Sequence, residues 1–220
     1  VGSEVFKEWK SKKVMEIVAF DMDGTLISES SWELLHLHFK ADPEKVQINK
    51  DMYFSFTIDY ETWMEKDIAL WNTPSIDEIF TGLSQYTLEP HVKDVVSALK
   101  EKQVVPCIVS SGISMLADMV GICIGIEPRF IFANDLIIDN GKLQGVCKVE
   151  PYQKDRIVKQ VATNLGVPLE KVAAVGDAAP DISLFKESGL KIAYNPKDSQ
   201  IVDAADFVIT DLRELLNFFE

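Results

Sequence analysis

The sequence predicts an α/β fold, a doubly wound parallel sheet carrying a small helical cap inserted after its first strand. Three observations lead there. Residues 14–20 form an apolar, β-branched run that stops at an acidic turn containing glycine, the pattern of a buried parallel strand rather than of a helix that short. Residues 31–83 carry apolar positions at helical spacing, as a helical unit does. From Pro90 onward helix-like and strand-like segments alternate, which sets parallel strands side by side with helices on both faces.

In chain order, the run at 14–20 is the first strand. Within the helical stretch, Trp32, Leu35 and Phe39 share one face and Trp63, Ile68 and Trp71 belong to a second segment, while Pro43 and Pro74 suit first-turn positions. Residues 92–102 read as a helix, 104–109 as a strand, 113–122 as a helix and 130–133 as a strand. Asp139-Asn140-Gly141, between apolar segments of 136–149, is the chain's strongest hairpin signal, because a tight primed turn needs residues tolerant of positive φ. A helix at 155–165, a strand at 172–175, a helix at 181–188 and strands at 190–193 and 207–209 complete the pattern. The expected division is an α/β core from 14–28 and 88–220 with a helical cap at 29–87. No flexible linker joins them, so the cap should dock on the core.

Composition narrows the function. Thirty-five acidic residues against 22 basic give a net charge of −13, a field that repels polyanions and argues against nucleic acid as a partner. No apolar run approaches the ~18 residues needed to span a bilayer, so no membrane partner is expected. The run behind Lys10, Lys12 and Lys13 ends at Phe20, too soon for a secretory signal core. Cys107, Cys123 and Cys147 are odd in number and lack CxxC spacing, which reads as buried thiols in a reducing cytoplasm.

Three strand ends carry polar residues: Asp21-Met22-Asp23-Gly24-Thr25, Ser110-Ser111-Gly112, and Gly176-Asp177 through Asp181. Open parallel sheets bind ligands at the carboxyl ends of their strands, so the three groups should face one crevice. Asp21 and Asp23 leave a strand two residues apart and come close enough to share a hard cation or to divide into ionised and protonated partners. An EF-hand loop is excluded, because glycine is fourth and Trp32 twelfth where that loop needs glycine sixth and Glu twelfth. Asp177 and Asp181 close an apolar strand, where buried carboxylates need a cation or hydrogen bonds; either could also be a plain helix N-cap. With the first pair they favour a magnesium site. Ser110, Ser111 and Gly112 precede a helix expected at Ile113, where a hydroxyl and N–H groups make an anion site or a simple cap. Lys154 opens the 155–165 helix and could supply a fixed positive charge, although a lone lysine is commonly solvated.

In this combination the sequence resembles the haloacid dehalogenase superfamily of phosphatases. Asp21-x-Asp-Gly-Thr, the Ser110 strand end, Lys154 and Gly176-Asp177-x-x-x-Asp181 look like its four ordered motifs, and the helical insert looks like its phosphoserine-phosphatase-like branch. The resemblance implies a Rossmann-like core and a Mg2+-dependent phosphomonoester hydrolase acting on a small phosphorylated substrate. It implies Asp21 as nucleophile forming an aspartyl-phosphate and Asp23 as acid and base. It also implies metal binding by Asp21, the Asp23 carbonyl and Asp177, with Asp181 behind them, and phosphate binding by Ser110, Ser111, Gly112 and Lys154. Two alternatives share the motifs: a phosphotransferase, and a phosphoaspartate or metal-binding regulatory module without turnover.

The branch places Glu nine residues after the nucleophile to meet a substrate amine and an Arg in the insert to clamp a carboxylate. Here the first position is Ser30, beside Glu29, and the second aligns with Asp67. An anion cannot replace a guanidinium facing a carboxylate, so phosphoserine is not the expected best substrate. Pro180 stands where the branch has Asn. Trp32, Tyr53, Phe54, Phe56, Tyr60, Trp63 and Trp71 either line a pocket for a larger leaving group or form the cap's own core.

Overall fold

The computed structural model describes residues 14–72 and 74–219; Lys10, Lys12 and Lys13 lie outside the described residues. Seven strands form one sheet in the order β4-β3-β2-β1-β5-β6-β7. They are β1 (Ile17–Phe20), β2 (Val105–Ile113), β3 (Ile131–Asp139), β4 (Lys142–Val146), β5 (Val172–Gly176), β6 (Leu190–Tyr194) and β7 (Phe207–Ile209). Only β4 runs antiparallel to its neighbour. Successive strands move outward from β1 on one side and, from β5, on the other. Right-handed crossovers then put the helices of the two halves on opposite faces, and β1 sits where the winding reverses, the place such sheets bind ligands.

Val18, Ala19, Cys107, Ile108, Val109 and all of β5 are fully buried, so the central strands read as continuous apolar runs rather than alternating ones. The first strand is shorter than the sequence pattern suggests. It begins at Ile17, and Val14 is exposed, because Glu16 interrupts the apolar run and pairs with Lys171 at the surface. β2 is longer than expected and continues through Ser110, Ser111 and Gly112 with a register shift against β3.

Between β1 and the next core helix lie α1 (Ser31–His38), α2 (Pro43–Phe54), α3 (Tyr60–Ile68) and α4 (Ile76–Leu83). Asp42, Asp59 and Ser75 cap the last three by accepting the backbone N–H of Glu44, Thr62 and Glu78, satisfying groups each helix start leaves free. Pro43 opens α2 as its fixed φ permits, but Pro74 precedes the Ser75 cap and lies outside α4. The two strands of chain that join this segment to the core pair at Ile27 and Leu88. The core helices are α5 (Val92–Glu101), α6 (Ser114–Ile124), α7 (Asp155–Leu165), α8 (Ile182–Phe185) and α9 (Ser199–Ala204). The helix expected at 181–188 is reduced to α8, preceded by a 3-10 turn at Ala179–Asp181. Cys107 is buried and Cys147 partly so, but Cys123, expected inside, faces solvent on α6. Among the described residues, no helix is long and apolar enough to cross a membrane.

Candidate active site

Phe20 at the end of β1 lies level with Ile108 of β2 and Val175 of β5, so the chain leaves these strands along one rim. Asp21 is the first residue past β1, and its N–H donates to the Val175 carbonyl at 2.9 Å. The chain then turns tightly, with the Met22 carbonyl accepting the N–H groups of Thr25, Leu26 and Ile27. That turn brings Asp23 back to the rim. Its Oδ2 accepts the N–H of Ser31 at 2.9 Å and the Ser31 hydroxyl at 2.7 Å. Its Oδ1 is buried without a partner. Burial raises the Asp23 pKa from 3.8 to about 6, against the pull of the two Ser31 bonds, which places the group where it can both give and take a proton near neutrality.

Lys154, the residue before α7, is buried, and its ammonium lies 2.6 Å from Asp21 Oδ1 and 2.7 Å from Asp181 Oδ1. Burial opposes its charge, but Asp181 and Asp21 outweigh that and raise its pKa above the ordinary value. The Asp21 carboxyl is pushed well above its usual range, first by burial and then by Asp181, against the attraction of Lys154. Asp181 spends its other oxygen on the N–H groups of Asp177 and Ala178 at 2.9 and 3.2 Å, so one carboxylate both caps the turn and orients the lysine. Capping the turn therefore does not prevent Asp181 from contacting Lys154. Asp177 is raised to about 6 by burial and by Asp181, with Lys197 pulling the other way from 2.8 Å.

Asp21, Asp177 and Asp181 each offer an oxygen, all within 4.8 Å of one another. Three buried oxygen donors and a fourth acid in Asp23 with an unsatisfied oxygen fit a hard divalent cation.

The Ser110-Ser111-Gly112 group precedes a helix as expected, but α6 begins at Ser114 with Ile113 as its cap position, one residue later than expected, and the group itself is the irregular end of β2. Ser110 Oγ is buried and accepts the Gly112 N–H at 2.9 Å. A Cβ at Gly112 would stand 2.5 Å from Ser31 Oγ and 2.9 Å from Asp23 Oδ2, so glycine is required by close approach.

One cavity of about 310 Å3 brings Asp21, Asp23, Ser30, Ser111, Lys154, Asp177, Asp181 and Asp67 together. Glu29 is not part of it; its carboxylate accepts the Thr87 N–H at 2.8 Å where the helical segment meets the core. Asp67 reaches the cavity wall but is engaged, with one oxygen accepting from Asn49 at 2.8 Å and the other 3.1 Å from His36 Nε2. Trp71 donates to His36 Nδ1, which leaves Nε2 to carry the proton toward Asp67. The aromatic residues divide: Trp32, Phe54, Tyr60 and Trp63 line the cavity, Tyr53 and Trp71 are core, and Phe56 is exposed. Pro180 also lines it. Two polar neighbours of these acids, Ser31 on Asp23 and Lys197 on Asp177, were not singled out from the sequence. Ser31 was legible only as the start of a helix, and Lys197 follows β6, a strand end whose Asn195-Pro196-Lys197 is the overlooked polar group.

A family model described as haloacid dehalogenase-like hydrolase matches residues 15–189. The chain belongs to that family. It is similar to the phosphoserine phosphatase of Methanocaldococcus jannaschii, 28% identical over 214 residues that cover 95% of this chain and 100% of the relative. Against the phosphoserine phosphatase of Archaeoglobus fulgidus it is 29% identical, covering 86% of this chain and 55% of that longer protein. A solved structure of a phospho-aspartyl intermediate analogue of phosphoserine phosphatase superposes with a TM-score of 0.81 at 27% identity, covering 94% of this chain and 100% of that one. This haloacid dehalogenase-like hydrolase is thus phosphoserine-phosphatase-like in sequence and fold.

Proposed function

We propose that the enzyme hydrolyses small phosphomonoesters in two steps through Asp21. In the first, an Asp21 oxygen attacks phosphorus, the bond to the leaving oxygen breaks, and Asp23 supplies the proton that oxygen needs. In the second, Asp23 takes a proton from water as the water oxygen attacks phosphorus, releasing inorganic phosphate and restoring the Asp21 carboxylate. The observation that carries this reading is the pairing of a buried Lys154 ammonium on Asp21 with a separately held Asp23 whose pKa stands near 6. One carboxylate is set against a fixed cation and its neighbour is set to exchange protons, a division of roles that environment imposes on identical side chains.

Lys154, Ser110 and the N–H groups of Ser111 and Gly112 hold the phosphoryl oxygens in this scheme, positioning being most of phosphoryl-transfer catalysis. Asp21, the Asp23 carbonyl and Asp177 would hold Mg2+, with Asp181 behind them; the ion would neutralise phosphoryl charge and reduce its repulsion of the carboxylate nucleophile. Asp181 and Lys197 position Asp177. The three free cysteines accord with a cytoplasmic enzyme. The division into a core of 14–28 and 88–220 and a cap of 29–87 is part of this reading, the cap covering the site from water.

Phosphoserine is not the preferred substrate in this proposal. Ser30 offers no charge to an ammonium, and Asp67, already bonded to His36 and Asn49, would repel a carboxylate. The cavity's tryptophan and phenylalanine walls suit a larger, less polar leaving group. The test is phosphate release from a panel of phosphomonoesters including phosphoserine, with Mg2+ or chelator, comparing wild type with Asp21→Asn. Metal-dependent release that falls by more than ~10³-fold in Asp21→Asn supports the mechanism. A hundredfold preference for phosphoserine, ~2.7 kcal/mol of differential transition-state binding, overturns the substrate reading.

A further inference from the structure

The Ser111 carbonyl is held from two sides. From the helical segment, the Tyr60 hydroxyl on α3 donates to it at 2.5 Å. From the sheet, Asn134 Nδ2 on β3 donates to it at 2.8 Å. Asn134 is itself locked: its second N–H goes to the Val149 carbonyl at 3.0 Å and its oxygen accepts the N–H groups of Lys148 and Val149, each at 2.7 Å. Two donors on one end and two acceptors on the other admit only one orientation of the amide. Both side chains are almost wholly buried, and burial pushes the Tyr60 hydroxyl pKa upward, so that it remains a donor.

A trans peptide is planar and its C=O and N–H point in opposite directions, and the chain contains no cis bond among the described residues. Anchoring the Ser111 carbonyl therefore aims the Gly112 N–H the other way, where it meets Ser110 Oγ at 2.9 Å. We propose that Tyr60 is a positioning residue whose hydroxyl, reaching from the helical segment to the Ser111 carbonyl, sets the direction of the Gly112 N–H in the phosphoryl-binding group. Asn134 holds the carbonyl from the sheet side whatever the helical segment does, and docking that segment adds the second donor, so the phosphoryl-binding group is fully held only when the segment is seated. This rests on the phosphatase reading above.

Tyr60→Phe tests it, because the ring that packs against Tyr53 and Trp63 stays and one O–H is lost. Binding of inorganic phosphate, measured by calorimetry with Mg2+ present, and inhibition by orthovanadate both probe the phosphoryl group without any leaving group. The expected result is roughly tenfold weaker phosphate and orthovanadate binding, the size of one lost hydrogen bond to a charged group, with a similar fall in kcat for every ester and an unchanged melting temperature. Wild-type phosphate and orthovanadate binding in Tyr60→Phe overturns the inference. So does a change confined to KM for particular esters, which would place the hydroxyl on the leaving group instead. If Tyr60→Phe melts lower, Asn134→Asp, which turns a donor to Ser111 into an acceptor, must weaken phosphate binding at least as much, and a normal value there overturns the proposal. A wild type that neither hydrolyses esters nor binds phosphate removes the phosphatase reading itself, whereas an active wild type matched by Tyr60→Phe removes this inference alone.

Discussion

Ser31 does as much for the site as residues with more evident chemistry. Its N–H and hydroxyl both meet Asp23 Oδ2, and its Oγ also accepts the Ile113 N–H at 3.2 Å, joining the first acidic turn to the end of β2. Because those bonds favour the ionised form of Asp23, Ser31→Ala should raise the Asp23 pKa above its present value of about 6. In the proposed mechanism the limb of the pH–rate profile set by Asp23 then moves to higher pH, as a kcat profile measured on both proteins would register. Lys154 gives a second prediction at this scale. Lys154→Met leaves Asp21 and Asp181 buried without their cation, a change worth about 3–5 kcal/mol in other buried pairs. Urea denaturation without metal should read a loss of that order, and phosphate release should fall below detection. The acidic residues and Lys154 were legible one by one in the sequence. Ser31 was not, since a serine before a helical pattern is first of all a helix start.

Among the elements, the β3–β4 hairpin was the most legible and the β2 end the least. Asp139 pairs with Lys142 across Asn140 and Gly141, whose φ values are 49° and 75°, so the dipeptide signal and the two-residue turn coincide. Gly141→Ala meets no neighbour within 4 Å yet must hold a left-handed backbone, which costs about 1 kcal/mol. Chemical denaturation should show that loss with kcat unchanged, as the turn is remote from the cavity lining. At β2 the polar Ser110-Ser111-Gly112 predicted a strand end followed by a helix start; the helix follows at Ser114, but pairing continues through the polar group to Ile113. Hydrogen bonds from Asn134 and Tyr60 hold this stretch in place of a helix cap. Those partners lie 23 and 51 residues away, beyond the reach of any local pattern.

At the scale of the whole molecule, packing gathers acids that water would otherwise keep apart, and this makes stability depend on pH and metal together. Folding raises Asp23 and Asp177 from 3.8 to about 6, with Asp21 raised as well, in each case chiefly through burial. The folded protein then binds more protons than the unfolded chain between about pH 4 and 6, so the contribution of these groups to stability falls as pH rises through that window. Asp211, lowered to about 2 by Arg213, acts in the opposite sense but below it. Metal-free protein should therefore melt at a higher temperature near pH 5 than at pH 7.5, with a flatter dependence in Asp177→Asn. Added Mg2+ should raise the pH 7.5 value by mass action; a wild type indifferent to Mg2+ there would remove the acidic triad as its site. The sequence by itself determined the α/β class, the polar strand ends and the acids at the rim, because period and side-chain type act over a few residues. Only the tertiary structure decided that Lys154 bridges Asp21 and Asp181, that Glu29 turns away to Thr87 while Asp67 is sealed by His36 and Asn49, and that Ser111 is held from both layers. Such pairings join residues distant in the chain, and which polar groups meet is settled by how the buried apolar surfaces pack, a property of the assembled layers that no local stretch of sequence contains.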